Sequence, residues 1–419
     1  MSLGSMILHL KDATLTNELI ERTKRPNRLL LNATGRTTKA LITTAIAKKE
    51  ERPLLVIVPT LEEASRWFSI LQLLGWTKTL FYPTSEGSPY DSFDCTSEIT
   101  WGQLQVLSEL ISPSKDNDIA IIATDRSLQP HLPPKSILKD RFHKITRGES
   151  LDLQDLSNLL TELGYERLPN VEQEGSWSRR GDIVDIFPVS NELPVRLEFF
   201  GDQLDKLREF DPATQRSLDA IDQIYLTPIS FNPIIADKLR EDLPSQIEDL
   251  LDSKSVDQLI EGNCPEGMRR LMGLAWEKPN SLLEYLPEHS CVVIDEVNQC
   301  LAHGEKWVEH TVETYRELLS NIHVKRSSTE LKFPPSLHKD VQLGIDSAKK
   351  FYGFDLSDLT DNVHNSNSFD ASSRRTQYCP NQFGKLAQQI KSYQKDKFKI
   401  WLLSAQPTRT ASLLKEHDC

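Results

Sequence analysis

No run of about 18 consecutive apolar residues occurs in the sequence, so no helical membrane span is expected. Nor is there a Cys-x-x-Cys pair. Cys95, Cys264, Cys291, Cys300, Cys379 and Cys419 lie scattered, which argues against a zinc site and against a disulfide framework, and points to the reducing cytosol. An export signal is missing too: Met1 to Ser5 precede a second methionine, Met6, have neither a basic nor an apolar lead, and read as a cloning remnant. Positive charge is in deficit. At a net charge of −12 the chain as a whole is repelled by phosphate backbones, which disfavours autonomous, non-specific DNA binding and leaves room only for a local basic groove.

What is present is a βαβα rhythm. From residue 28, "RLLLN", "PLLVIVP", "KTLFYP" and "DIAIIAT" alternate with helical runs such as "TTKALITTAIAKKE" and "LEEASRWFSILQLLG". Apolar strands between amphipathic helices imply a parallel sheet covered on both faces, so residues 6–145 read as the first part of an α/β domain. The period then changes. Residues 146–232 give one helix and then strands of period two ("GDIVDIF", "VRLEFF", "KLREF", "IDQIYLTP"), an inserted antiparallel α+β domain with one wet face. Residues 233–370 return to helices and to the buried-strand run "CVVIDE", closing the α/β domain as its second part. "DNVHNSNSFDASSRRT" (361–376) reads as a flexible connection. Residues 371–419, helix, strand and helix, read as the start of a further small domain, truncated at an imposed boundary. A length of 419 residues suits this, since single cores of roughly 100–200 residues are the rule.

The stretch "LNATGRTTKA" (31–40) stands where a phosphate-binding loop would sit, between a strand and a helix. A working loop, G-x-x-x-x-G-K-[ST], wraps phosphates in backbone N–H groups, neutralises them with its lysine and holds Mg²⁺ with its hydroxyl. Aligned on Thr34 and Gly35, those four positions fall on Asn32, Thr37, Thr38 and Lys39. Sliding the pattern to bring Lys39 into the lysine slot spoils the rest. The loop reads as a structural turn, with residual nucleotide affinity through Arg36 and Lys39 as the alternative. "VVIDE" has the form of the second ATPase element, a strand ending in carboxylates. Asp295 and Glu296 are either remnants of an Mg²⁺ and water site or simply solvated charges at the sheet's edge. No second phosphate loop and no metal site is found in the sequence.

"SWSRRGDIVDIFPVSNELPVRLEFFGDQLDKLREFDPATQRS" (176–217) resembles the UvrB-like module shared by the excision-repair helicase UvrB and the transcription-repair coupling factor Mfd. "FYPTSEGSPYDSF" (81–93), "DIAIIATDRSLQPHLPP" (118–134) and "LLEYLPEHSCVVIDE" (282–296) resemble the coupling factor in the same order. The degenerate loop, and the short "YPTSEGSPYDSF" where UvrB carries an aromatic DNA-clamping hairpin, both set the chain apart from UvrB. The resemblance implies a RecA-like fold and a non-catalytic module that mimics UvrB to recruit UvrA in nucleotide excision repair. It implies no cofactor for these residues. ATP and Mg²⁺, and the contacts with RNA polymerase and double-stranded DNA, would belong to domains absent here. It also implies that Arg180, Arg196 and Phe200 carry the UvrA contact, with Arg179 as an auxiliary candidate.

The residue types suit that role, because guanidiniums bind carboxylates in bidentate fashion and an aromatic side chain anchors an interface. By period two, Arg196, Glu198 and Phe200 share one face of their strand, and Leu197 and Phe199 the other. The competing reading packs Phe200 under a loop and pairs the arginines internally with Asp182, Asp185 or Glu198. Two further functional readings stand beside the adaptor. One is a UvrB-like ATP-dependent helicase with Asp295 and Glu296 at its ATP site. The other is a regulatory module whose inserted domain is masked in the full-length protein.

Overall fold

The protein is described from a computed structural model. The described residues are 3–25, 28–32, 35–88, 97–111, 118–241, 251, 253–265, 267–276, 278–321, 341–358, 367–371, 382–402, 404 and 406–419. Part of the "SPYDSF" stretch, Ala33 and Thr34 of the loop, and much of 361–376 lie outside them.

Fifteen strands are described. In chain order they are β1 (Leu29–Asn32), β2 (Leu54–Val58), β3 (Lys78–Tyr82), β4 (Ile119–Thr124), β5 (His143–Thr146), β6 (Glu166–Arg167), β7 (Ser176–Arg180), β8 (Ile183–Ile186), β9 (Val195–Phe200), β10 (Gln203–Phe210), β11 (Ser217–Ala220), β12 (Gln223–Leu226), β13 (Cys291–Asp295), β14 (Tyr352–Ser357) and β15 (Ser368–Asp370). Seven of them form one parallel sheet in the order β15-β1-β14-β13-β2-β4-β3. Its members come from both ends of the chain, so the fold is an α/β domain interrupted by an insertion, as the sequence pattern implies.

Every residue of β2, β4 and β13 is buried. That is why these strands read as unbroken apolar runs: both faces of the sheet are covered, one core being built with the helix Ser97–Ile111 and the other with Arg36–Lys49 and Leu61–Leu71. The N-terminal helices Gly4–Lys11 and Thr14–Thr23 pack on the second of these cores through Ile7, Leu19 and Ile20. Parallel strands direct all their carboxyl ends to one edge, which brings the chain after β1, β13 and β14 together.

The inserted domain is a six-stranded sheet, β11-β10-β9-β8-β7-β6, entered and left through the antiparallel pair β5 and β12. It is not wholly antiparallel. The two-residue edge strand β6 runs parallel to β7. One face is covered by the helix Leu153–Glu162, whose Leu156 and Leu160 pack against Val184, Leu197 and Leu207. Asp152 caps that helix by accepting from the backbone N–H groups of Gln154 and Asp155. Trp101, on the α/β domain, donates its indole N–H to the Ile229 carbonyl at 3.1 Å and ties the insertion to its host.

Two expectations are corrected. Within 361–376, Ser368–Asp370 is not a free connection: it is β15, paired in parallel with β1 and so an edge strand of the main sheet. The apolar run "KIWLL" does not form a strand over its described residues; Ile400, Trp401 and Leu402 are exposed, between the helices Phe383–Lys395 and Pro407–Lys415. An apolar run becomes a strand only where a sheet edge accepts its hydrogen bonds, and among the described residues these pair with no strand.

Candidate functional site

Two sets of residues singled out by the sequence are brought together in space. The first lies where β1, β13 and β14 end. Gly35, with φ of 108°, starts the helix Arg36–Lys49, and that helix turns Lys39 back under the sheet's edge. The Lys39 side chain is 2% exposed, and its ammonium donates to Asp295 Oδ1 at 2.5 Å and Glu296 Oε1 at 2.9 Å, and lies 2.8 Å from Asp358 Oδ1. Burial alone would lower its pKa, but the Asp295 charge and the hydrogen bonds to Asp295, Asp358 and Glu296 outweigh it and push the ammonium up to about 12.

The other oxygen of Asp295 accepts from the Trp67 indole at 2.8 Å. Glu296 adopts a φ of 56° and also accepts from the Asp358 backbone N–H. Asp295 and Glu296 are therefore not solvated charges at the sheet's edge. Arg36, the other cation considered for a phosphate, is bonded to Glu63. Asn32 ends β1, while Thr37 and Thr38 sit on the first turn of the helix; neither threonine replaces the missing phosphate-loop lysine. Among the described residues, no group of three His, Cys, Asp or Glu side chains is placed to hold a metal.

The second set lies on the outer face of the inserted sheet. Register decides its membership. Asp185 faces Ser178 and Arg196, and Ile183 faces Arg180 and Glu198. Because side chains alternate, Arg180, Ile183, Asp185, Arg196, Glu198 and Phe200 all point away from the helix Leu153–Glu162. Val195, Leu197 and Phe199 fill the core side. The β9–β10 hairpin turns at Gly201, whose φ of 61° is open to glycine, and leaves Phe200 at the rim.

The arginines and the phenylalanine fare differently. Arg196 grips Asp185 with two hydrogen bonds, Nε to Oδ1 at 2.7 Å and a terminal guanidinium nitrogen to Oδ2 at 2.9 Å, and its guanidinium lies 4.8 Å from the centroid of the Phe210 ring. Arg180 reaches the same Asp185 Oδ2 at 2.9 Å but stays 54% exposed. Internal pairing is thus met for both arginines, through Asp185 alone. Phe200 is not under a loop: it is 83% exposed. Arg179 does not join this face. Its alternation places it with Trp177 on the other side, where its Nε donates to the Gly181 carbonyl.

Two members escaped the sequence reading. Asp358 completes the carboxylate set around Lys39, and Trp67 holds Asp295 in place. The signal for Asp358 was present: "YGFDLSD" is another apolar strand running into a carboxylate at the sheet's carboxyl edge. Trp67 carries no comparable mark, because a tryptophan on a helix reads as core.

Comparison with known proteins finds two matching families. Residues 144–231 match the family described as "UvrB interaction domain", and residues 375–419 match "Cyanobacterial Mfd, Rossmann-like domain". The chain is similar to the transcription-repair-coupling factor of Bacillus subtilis, at 26% identity over 93% of this chain and 34% of that protein. It is also similar to those of Haemophilus influenzae, at 28% identity over 66% of this chain and 24% of that protein, and Escherichia coli, at 29% over 64% and 23%. The chain thus spans between about a quarter and a third of the relatives it matches. The resemblance seen in the sequence is borne out. Among the described residues no helix is long and apolar enough to cross a membrane.

Proposed function

We propose that this relative of the transcription-repair-coupling factors, with its UvrB interaction domain, is a non-catalytic recruitment module that binds UvrA through the outer face of the inserted sheet. One observation carries the reading. Phe200 stands in solvent on the face that also holds Arg180 and Arg196, and a large exposed aromatic flanked by guanidiniums is the composition of an interface anchor. Asp185 fixes the direction of both guanidiniums, so a partner's carboxylates would meet cations whose geometry is already set.

The opposite reading, an ATP-dependent helicase, lacks support at the phosphate loop. The lysine and carboxylates that would serve a nucleotide are bonded to one another, and Arg36 is bonded to Glu63. The module needs neither ATP nor Mg²⁺ on this reading. RNA polymerase and double-stranded DNA would be engaged by other domains of a longer protein.

The test is a titration of UvrA against the chain at two salt concentrations, beside Phe200→Ala and Arg180→Ala. Both substitutions are at exposed positions and leave the core intact. A loss of tenfold or more for Phe200→Ala, about 1.4 kcal/mol, is expected. Absence of binding by the folded parent would overturn the proposal. Saturable micromolar binding of a fluorescent ATP analogue, lost in Asp295→Ala, would favour the helicase reading instead.

A further inference from the structure

The carboxylate set around Lys39 joins parts of the chain that are far apart. Lys39 lies before the insertion, whereas Asp295, Glu296 and Asp358 lie after it, 256 or more positions away. At the same edge the backbone joins these parts too, through Asn32 of β1 opposite Ser357 and Asp370; Lys39 adds a buried charge to that junction. β1 is held between β14 and β15, and the Lys39 ammonium sits beneath the point where β1 gives way to its helix and β13 and β14 end. In phosphate-loop folds a divalent cation bound to a nucleotide occupies this edge, held by a hydroxyl of the loop and a carboxylate of a neighbouring strand. Here a cation is also present, but it is covalently part of the chain.

The chemistry is matched. One ammonium has three donor hydrogens, and three carboxylates surround it. The deepest of them, Asp295, spends its second oxygen on the Trp67 indole; Glu296 also accepts from the Asp358 backbone N–H. A buried lysine is ordinarily costly, and one facing three carboxylates is held in its charged form.

We infer that Lys39 is the resident cation of this edge, a built-in replacement for a metal–nucleotide complex that clasps the two chain halves of the α/β domain without any ligand. The inference deepens the proposed function: a module closed by its own lysine presents its inserted domain at all times, independent of nucleotide. It rests on that reading only for this consequence. The clasp itself can be tested on the chain alone, with no UvrA present, so its failure and the failure of UvrA binding are separate results.

The experiment is thermal unfolding of the 419-residue chain, with and without Mg-ATP, for the parent, Lys39→Met, Asp358→Asn and Lys39→Met/Asp295→Asn. The parent is expected to show no change of Tm with Mg-ATP. Lys39→Met, which leaves buried carboxylates without a counter-charge, is expected to lose about 5 °C or more. Lys39→Met/Asp295→Asn removes the deepest uncompensated charge and is expected to recover part of that loss. Should Lys39→Met fail to fold, recovery of a folded chain in the double variant supports the clasp. Asp358→Asn, at a half-exposed carboxylate, is expected to fold and to lose less. A Lys39→Met chain as stable as the parent, a double variant less stable than the single one, or a rise in the parent's Tm with Mg-ATP would each overturn the inference.

Discussion

Asp185 and Arg196 are directly opposite each other on β8 and β9, and their paired hydrogen bonds of 2.7 and 2.9 Å hold a carboxylate that is 1% exposed. The same carboxylate is the one that Arg180 reaches from β7. A single buried anion therefore orders the guanidiniums of both Arg180 and Arg196. Asp185→Asn keeps the shape and removes the charge, leaving Arg196 partly buried with its counter-ion gone. A loss of about 3 kcal/mol in urea unfolding is expected. Arg180→Ala removes only the exposed partner and is expected to cost less than about 1 kcal/mol. Equal losses from the two variants would show that Asp185 does not organise the face.

Phe199 and Phe200 are neighbours in sequence on opposite sides of β9, one 7% and the other 83% exposed. Phe199→Ala is expected to cost about 3–5 kcal/mol of stability, the ordinary result of emptying a core position. Phe200→Ala is expected to change stability by no more than about 0.5 kcal/mol while weakening UvrA binding. Chemical unfolding and a binding titration on the same two preparations check both halves. A Phe200 variant that unfolds early would return the ring to an internal packing role.

The legible parts of this molecule are those fixed by local pattern. β2, β4 and β13 are buried along their whole length and are marked by apolar runs, while the alternation in "VRLEFF" sorts its side chains onto the two faces that the hairpin gives them. What local pattern does not carry is pairing between distant segments. Lys39 looks like a surface lysine or a weak phosphate ligand until the sheet brings three carboxylates to it. Ser368–Asp370, three residues long with Phe369 its one apolar member, becomes a strand where β1 offers it an open edge. "KIWLL" shows the converse, a strand-like sequence left without an edge. For Arg179 the strand's own alternation was sufficient, since the face of Arg180 excludes its neighbour.

His303 gives the fold a pH dependence near neutrality. Its Nδ1 lies 3.0 Å from Oδ1 of the fully buried Asp125, and its Nε2 lies 3.6 Å from Glu86, with Arg126 also facing it. The hydrogen bond to Asp125 raises its pKa, against the opposing effect of burial. A raised folded value means that the unfolded chain binds fewer protons in this window. The stabilisation is fully present below the unfolded pKa of about 6.5 and is lost as pH rises through the folded one. His131 and His143, whose pKa values burial lowers, act in the opposite direction. The His303 contribution is therefore read as the Tm difference between the parent and His303→Gln, expected to be smaller at pH 8.5 than at pH 6 at constant ionic strength. A difference that does not change between the two pH values would assign the dependence to other groups.

Lys39 supplies the alkaline counterpart, and the same sign applies. Its folded pKa is about 12 against 10.5 for a free lysine, so the folded chain holds this proton more tightly than the unfolded one. The contribution is complete below 10.5 and disappears as pH rises through about 12. The shift corresponds to about 2 kcal/mol. Tyrosines and other lysines titrate in the same window, so the absolute slope is uninformative and the difference between variants is what counts. Between pH 10.5 and 12 the stability gap between the parent and Lys39→Met/Asp295→Asn is expected to narrow from the parent's side. Urea midpoints measured for both chains across that range check it. A gap that stays constant would mean that the ammonium keeps no tighter hold on its proton in the folded state than in water, and the three carboxylates would then be neighbours of Lys39 without being its counter-ions.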